Sequence, residues 1–447
     1  MFKRDIITYL HHWATSKNRK PLVLRGARQV GKTSAVQMFG NEFDNYLYVN
    51  LEDVLLKKVF EEALDVRLLL DTLFSLQAMP RKEGRTLLFV DEIQNSPRAI
   101  LLLRYFYEQL PEVFVIAAGS LLETLIDRHV SFPVGRVEYM AVRPCSFREF
   151  LTAKGDDSVR NLIVQNPEIS KSLHPKLMSD FQIYSLIGGM PEAVSNYLDN
   201  RDLTALAPIY ISLLTGYMDD VEKYASKGTE TNVIRTILNK GWTNAGQQIT
   251  FNNFAASNYK SREMGEGFRT LERAMLLELV YPVTSANLPL VGNQRRMPKL
   301  LWLDCGLVSA SAKVKQEILR AENLQEVWRG AYAEQIVGQE LLTLNKDVNE
   351  RRHFWIREDT HASAEVDYVY QFDNVFVPIE VKLGSNAHLR SLHRCVEEGN
   401  LSFAVRVWSE PLSVNDVTTV VGKKSFRLLN VPFYMVGMLD KLIQKYI

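Results

Sequence analysis

The chain has 447 residues, too many for one hydrophobic core, and its length suggests about three domains. Its 53 Lys and Arg against 52 Asp and Glu leave a net charge of +1, so any polyanionic partner must be read from local patches. The opening Met1-Phe2-Lys3-Arg4-Asp5 meets charge at once and is not a signal peptide, and no run of 18 apolar residues exists to span a membrane. Cys145, Cys305 and Cys395 lie far apart without zinc spacing, which predicts buried reduced thiols in a cytoplasmic protein.

Taken in order, residues 1–18 read as a leading helix, and the apolar strand Leu22-Val23-Leu24 follows. It runs into Gly26-Ala27-Arg28-Gln29-Val30-Gly31-Lys32-Thr33 and a helix from Ser34, the strand, loop and helix order of a P-loop. The glycines let successive backbone N–H groups from Gly26 to Ser34 converge with the helix N-terminus on a polyphosphate. Lys32 reaches the terminal phosphates, and the Thr33 hydroxyl can ligand Mg²⁺. The competing reading is a glycine-rich turn that happens to fit. A second strand at Tyr46-Leu47-Tyr48-Val49-Asn50 and apolar residues at helical spacing from Val54 to Met79 come next. Leu87-Leu88-Phe89-Val90 is then an apolar run suited to a strand buried on both faces, closed by Asp91-Glu92. Asp91 would hold Mg²⁺ and Glu92 would orient and polarise the attacking water, so ATP and Mg²⁺ are the expected cofactors. A helix over Pro97 to Leu110, a strand over Val113 to Ala118 and another over Val137 to Val142 complete an α/β pattern with a parallel, doubly wound sheet.

Together with Pro144-x-Ser146-Phe147-x-Glu149-Phe150 and Gly188-Gly189-x-Pro191-Glu192-Ala193, these motifs resemble bacterial and archaeal AAA+-like ATPases. Those proteins carry a C-terminal domain of unknown function related to restriction-endonuclease-type folds. The resemblance covers nearly the whole chain. It implies an ATPase core at 1–155, a helical lid at 156–226, a winged helix at 227–312 and a nuclease-like α/β domain at 313–447. Ser120 falls where such ATPases place a sensor for the terminal phosphate, though a plain helix N-cap fits as well. Arg136 or Arg128 could serve as an arginine finger toward a neighbouring copy in a homo-oligomer, or be a solvated loop arginine. Gly188-Gly189-Met190-Pro191 also reads independently as a helix-ending turn with Pro starting the next helix.

Helical patterns fill Val159 to Val164, Leu177 to Ile187, Glu192 to Leu198 and Leu206 to Tyr224. Short helices at Thr231 to Leu238, Phe251 to Ala256 and Glu266 to Leu279, followed by strands at Val280 to Val283 and Leu300 to Leu303, read as a winged helix. Its segment from Lys260 to Lys299 holds Lys260, Arg262, Arg269, Arg273, Arg295, Arg296 and Lys299 against Glu263, Glu266, Glu272 and Glu278, a net +3 that suits DNA or a protein partner. A polar stretch after Leu307 leads to a helix over Leu324 to Leu344. Strands at Phe354 to Arg357, Glu365 to Phe372 and Val375 to Leu383 follow, the last two joined by the turn Asp373-Asn374. A two-residue hairpin there would set Asp367 against Glu380 and Glu365 against Lys382, all on one face. Facing carboxylates repel without a cation, which predicts a Mg²⁺ site. Asp367 with Glu380-Val381-Lys382 matches the Asp…Glu-x-Lys pattern of restriction-endonuclease-like enzymes. That resemblance implies Asp367 and Glu380 as metal ligands, Lys382 as the residue that positions water, and Glu334 as the group completing the site. A Lys382–Glu365 salt bridge and an exposed Glu334 are the bland alternatives. Three functions remain: an ATP-driven switch that repositions the later domains on DNA, an ATP-gated metal-dependent nuclease, and a signalling or scaffold ATPase with degenerate interaction modules.

Overall fold

The computed structural model describes residues 2–119, 133–225, 228–312, 330–358, 364–383 and 389–447. Two compact units divide the chain. One holds residues 1–143 with short returns at 273–275 and 346–349, and the other holds 144–272, 276–345 and 350–447.

In the first unit, β1 (Leu22–Arg25), β2 (Asn45–Asn50), β3 (Thr86–Asp91), β4 (Phe114–Gly119) and β5 (Glu138–Ala141) form one parallel sheet in the order β2-β3-β4-β1-β5. β3 and β4 are buried along their whole length, as their unbroken apolar runs require. The register places Asn50 beside Asp91 and Arg25 beside Gly119, so β1, β3 and β4 end on the same edge of the sheet. On one face Val23, Leu47, Val49, Leu88, Val90 and Val115 pack against Phe60, Leu69, Leu73, Leu103 and Phe106 from the helices Val54–Glu62, Val66–Leu76 and Pro97–Gln109. Phe114, one residue out of phase with Val115, points to the opposite face and meets Trp13 and Phe43 edge-on. The helical pattern from Val54 to Met79 is two helices because Asp65 ends one run and caps the next, accepting from Arg67 N at 2.8 Å and Leu68 N at 3.1 Å.

The second unit begins at a capping box. Ser146 Oγ accepts from Glu149 N at 3.2 Å and Glu149 Oε2 accepts from Ser146 N at 2.9 Å, which starts the helix Phe147–Lys154. The helix Ser170–Ile187 ends at Gly188, whose φ is 64°, and Pro191 opens the next helix. This turn admits no side chain: a Cβ on Gly188 would lie 2.2 Å from Asp304 Oδ1, and one on Gly189 2.1 Å from the Cys145 carbonyl oxygen. Gly189 N donates to Asp304 Oδ2 at 2.5 Å and Cys145 N donates to the Gly189 carbonyl at 2.6 Å. The Pro-Cys-Ser-Phe and Gly-Gly-Met-Pro motifs therefore form a buried junction with Asp304. The helix expected over Leu206 to Tyr224 breaks at Asp220 into Ala207–Asp219 and Val221–Tyr224.

Next come the helices Gly228–Lys240 and Ser261–Arg273 and an antiparallel pair, β6 (Leu277–Val280) with β8 (Lys299–Trp302). Three expectations change here. Phe251 to Ala256 is no α-helix but one 3₁₀ turn at Phe254–Ala256, since Asn253, Ala255 and Ala256 all have left-handed backbones. The helix expected to reach Leu279 stops at Arg273, because Met275 turns left-handed at φ 58° and Leu277 enters β6. The strand expected over Val280 to Val283 splits: Val280 pairs with Lys299, while β7 (Pro282–Val283) pairs parallel with β9 (His353–Ile356). Asp304 caps a helix at Cys305–Ser311, which takes up the start of the polar stretch expected after Leu307; residues 313–329, with the first part of the helix expected from Leu324, lie outside the described residues.

β7 and β9 belong to a seven-stranded mixed sheet with β10 (Glu365–Phe372), β11 (Val375–Val381), β12 (Phe403–Trp408), β13 (Ser413–Thr418) and β14 (Ser425–Pro432), ordered β13-β14-β12-β11-β10-β9-β7. The β10–β11 hairpin has the expected register from Tyr368 opposite Ile379 to Phe372 opposite Val375. β13 gave no apolar signal because Ser-Val-Asn-Asp-Val-Thr is an edge strand. Leu392, Cys395 and Val396 of the helix Arg390–Glu398 pack on Phe376, Ala404 and Leu428. The helix Ala331–Leu342 meets β10 where Tyr368 Oη donates to the Glu334 carbonyl at 2.7 Å. All three cysteines are buried free thiols, and no described helix is long and apolar enough to cross a membrane.

Candidate functional site

The P-loop runs from the end of β1 to the helix Lys32–Gly40. Gln29 and Gly31 adopt left-handed backbones, at φ 64° and 91°, and Gly26 has no room for a Cβ, which would lie 2.3 Å from the Val142 carbonyl. Ala27 and Val30 are buried under the loop, Arg28 and Ser34 are half-buried and Gln29 is exposed. Lys32 folds back so that its ammonium donates to the Gly26 and Ala27 carbonyls, both at 2.9 Å. Burial pushes this amine down to about 8 against the opposing pull of Glu92 and Asp91. A phosphate approaching the loop would favour the charged form further. Thr33 Oγ1 donates to Asp91 Oδ2 at 2.6 Å although 58 residues separate them. The two oxygens are adjacent and one is anionic, so the donor set fits a hard cation such as Mg²⁺.

Glu92 sits at the end of β3 in a left-handed conformation with φ 52°, strained for a residue with a side chain. Its carboxylate accepts from Gln94 Nε2, and burial raises its proton affinity. Three supporting residues escaped the sequence reading. Arg4, buried below the loop, donates to the Val30 carbonyl at 3.0 Å and the Arg143 carbonyl at 2.8 Å. Tyr48 Oη donates to Asp91 Oδ2 at 3.5 Å, and Gln94 fixes Glu92. Only Gln94, two residues past the acidic pair, had a signal in the sequence. Ser120 and Arg128 lie outside the described residues. Arg136 is half exposed and pairs with Glu108 at 2.9 Å.

In the second unit Asp367, Glu380, Lys382 and Glu334 come together. Asp367 Oδ2 accepts from Val381 N at 2.7 Å, which clamps it onto β11. Burial, then the Asp367 carboxylate, drives Glu380 up to about 8. Lys382 pairs with Glu380 at 3.1 Å and not with Glu365, so the bland alternative of a cross-strand salt bridge does not form. The ladder is irregular on the β9 side between Val366 and Val369, and Glu365 turns to a different cation. That cation is Lys299: its ammonium lies 2.6 Å from Glu334 Oε2, 2.7 Å from Glu365 Oε1 and 3.9 Å from Asp367 Oδ1. Ligand atoms of Glu334, Glu365 and Asp367 all lie within 4.8 Å of one another, a spacing that could hold a metal ion. Glu334 is neither exposed nor alone.

Two of the charges assigned to the winged-helix surface are buried. Lys299 is in the carboxylate cluster, and Glu278 is paired with Arg352 at 2.8 Å. One charge of each sign drops out, so the remaining charges of the segment still sum to +3, with Lys260, Arg262, Arg269, Arg273, Arg295 and Arg296 each exposed.

Comparison with known proteins finds matches to three successive stretches of the chain. The AAA domain family matches residues 18–151, and two domains of unknown function, DUF8612 and DUF4143, match residues 178–318 and 329–425. An uncharacterized protein of Haemophilus influenzae is 23% identical over 241 residues, 51% of this chain and 52% of its own length, so the match spans about half of that relative. Among solved structures, a Walker-type ATPase of Pyrococcus abyssi is 14% identical over 70% of this chain and 96% of its own, with a TM-score of 0.42. The RuvB Holliday junction branch migration motor of Thermotoga maritima is 14% identical over 62% and 90%, with a TM-score of 0.28. The Orc1 protein of Aeropyrum pernix, solved in complex with DNA, is 12% identical over 70% and 92%, with a TM-score of 0.26. Residues 18–151 thus match an AAA domain, and the two matches that follow are to domains of unknown function.

Proposed function

We propose that this protein binds ATP with Mg²⁺ at the loop Gly26–Ser34 and hydrolyses it, and that nucleotide state governs what the C-terminal domains do on DNA. The observation that carries the reading is the 2.6 Å contact between Thr33 Oγ1 and Asp91 Oδ2, which unites the two halves of a phosphate and cation site from distant stretches of chain. Lys32 supplies a positive charge that moves from the loop carbonyls to a phosphate. Thr33 and Asp91 hold the cation, which when bound would neutralise charge between the phosphates. Glu92, steadied by Gln94, orients a water. Titration with a fluorescent ATP analogue tests this. Binding should weaken on replacing Mg²⁺ with EDTA and in Thr33→Ala, and equal affinity in all three conditions would refute the cation assignment.

A second reading, metal-dependent DNA cleavage at Asp367, Glu380 and Lys382, is favoured by one further observation: among the described residues Glu380 Oε2 is buried without a hydrogen-bond partner. A divalent ion would satisfy it. Linear, nicked, single-stranded and branched DNA incubated with Mg²⁺ or Mn²⁺, with and without ATP, should show cleavage that Asp367→Asn abolishes. Intact DNA throughout would leave the domain as an interaction module.

A further inference from the structure

We propose that Lys299 is a resident cation in the carboxylate cluster. It takes Glu334 and Glu365 as its counter-ions and fills the position of a possible metal, leaving a divalent ion only the Asp367–Glu380 side. The last clause rests on the metal-site reading above. A buried ammonium is costly unless well-placed anions surround it, and this one has contacts of 2.6 and 2.7 Å to two carboxylates. The Asp367 carbonyl accepts a third at 3.4 Å, and the rings of Phe354 and Tyr368 lie 4.8 and 5.8 Å away. Lys299 is 2% exposed and its backbone is fixed, paired with Val280 across the β6–β8 ladder and bridged to Gln248. The Gln248 side-chain amide in turn donates to the other oxygen of Glu365. Strand pairing on both sides thus holds the Lys299 backbone beside the cluster.

This assigns different work to carboxylates that the sequence grouped together. A hard divalent ion wants several oxygens at roughly 2.0–2.6 Å around one centre. The oxygens of Glu334, Glu365 and Asp367 offer such a centre, but the lysine nitrogen is already among them. On the other side Glu380 Oε1 is engaged by Lys382 while Oε2 has no described partner, so the open coordination lies between Asp367 and Glu380. Glu334 is then a counter-ion and not a metal ligand.

Mn²⁺ titration of the full chain without nucleotide, followed by the electron paramagnetic resonance signal of free Mn²⁺, tests the assignment. Lys299→Met should bind one more ion per chain than the parent and gain thermal stability with Mn²⁺, and adding Glu334→Gln should remove that ion. Glu334→Gln alone should leave the parent's Mn²⁺ binding unchanged, whereas Glu380→Gln should remove one ion per chain. Lys299→Met with the parent's stoichiometry, or weaker Mn²⁺ binding in Glu334→Gln alone, would overturn the proposal. If Lys299→Met does not fold, the Glu334→Gln comparison decides. An extra ion in Lys299→Met, with no effect of Glu380→Gln, would leave Lys299 as the resident cation and refute the Asp367–Glu380 site.

Discussion

Glu340 illustrates how much a single buried carboxylate can reveal. It is 1% exposed and accepts from Phe147 N at 3.0 Å and Tyr184 Oη at 2.7 Å, while burial raises its pKa to about 7. Because the folded value exceeds the unfolded one, the group imposes no penalty below pH 4.5. The penalty grows as pH rises toward 7, where the unfolded chain ionises first, and then levels off. Glu340→Gln keeps an oxygen for both donors and cannot ionise, so it should stabilise the protein above pH 7 by on the order of 2 kcal/mol and change little near pH 4. Thermal melts across that range would show it, and a constant difference at every pH would contradict the ionisation. The same scale sets the limit of sequence reading. The loop that ends at Lys32 and Thr33 and the buried strand that ends at Asp91 could be read because local spacing and an unbroken apolar run mark them. Lys299 could not, because its partners Glu334 and Glu365 lie 35 and 66 positions away and only the fold brings them together.

At the scale of elements, turns and hairpins were readable where local chemistry decides and unreadable where partners do. The Asp373-Asn374 turn fixed the β10–β11 register, and Gly188 with Pro191 marked a helix boundary. The division of Val280 to Val283 between two sheets left no such mark, since both halves are short apolar strands and only their distant partners differ. Two glycines separate local preference from packing. Gly189→Ala would push a Cβ to 2.1 Å from the Cys145 carbonyl oxygen, backbone that cannot swing aside, and should destabilise by more than about 2 kcal/mol. Gly216, inside the helix Ala207–Asp219, has nothing within 4 Å of its added Cβ, and Gly216→Ala should stabilise by roughly 0.5–1 kcal/mol. Urea midpoints that move alike in both variants would show that the Gly188-Gly189 junction is not the tight contact described.

For the whole molecule, the parallel sheet of the first unit followed from alternating apolar strands and helices, a pattern whose burial requires it. The path of residues 228–302 was only partly foreseen, because a two-stranded pair and a strand lent to another sheet share one stretch of chain. If Arg136 leaves Glu108 to complete the site of a second copy, turnover per chain should rise with protein concentration. It should also return in part when Arg136→Ala is mixed with Glu92→Gln, and concentration-independent turnover would exclude that assembly. The central claim is that the first unit is an ATP-hydrolysing site in which phosphate binding and water activation belong to different residues. Steady-state ATP turnover measured beside nucleotide binding in Lys32→Ala and Glu92→Gln tests it most directly. Lys32→Ala should lose both, whereas Glu92→Gln should retain binding with turnover reduced by about a hundredfold or more. Parental turnover in Glu92→Gln would contradict the account.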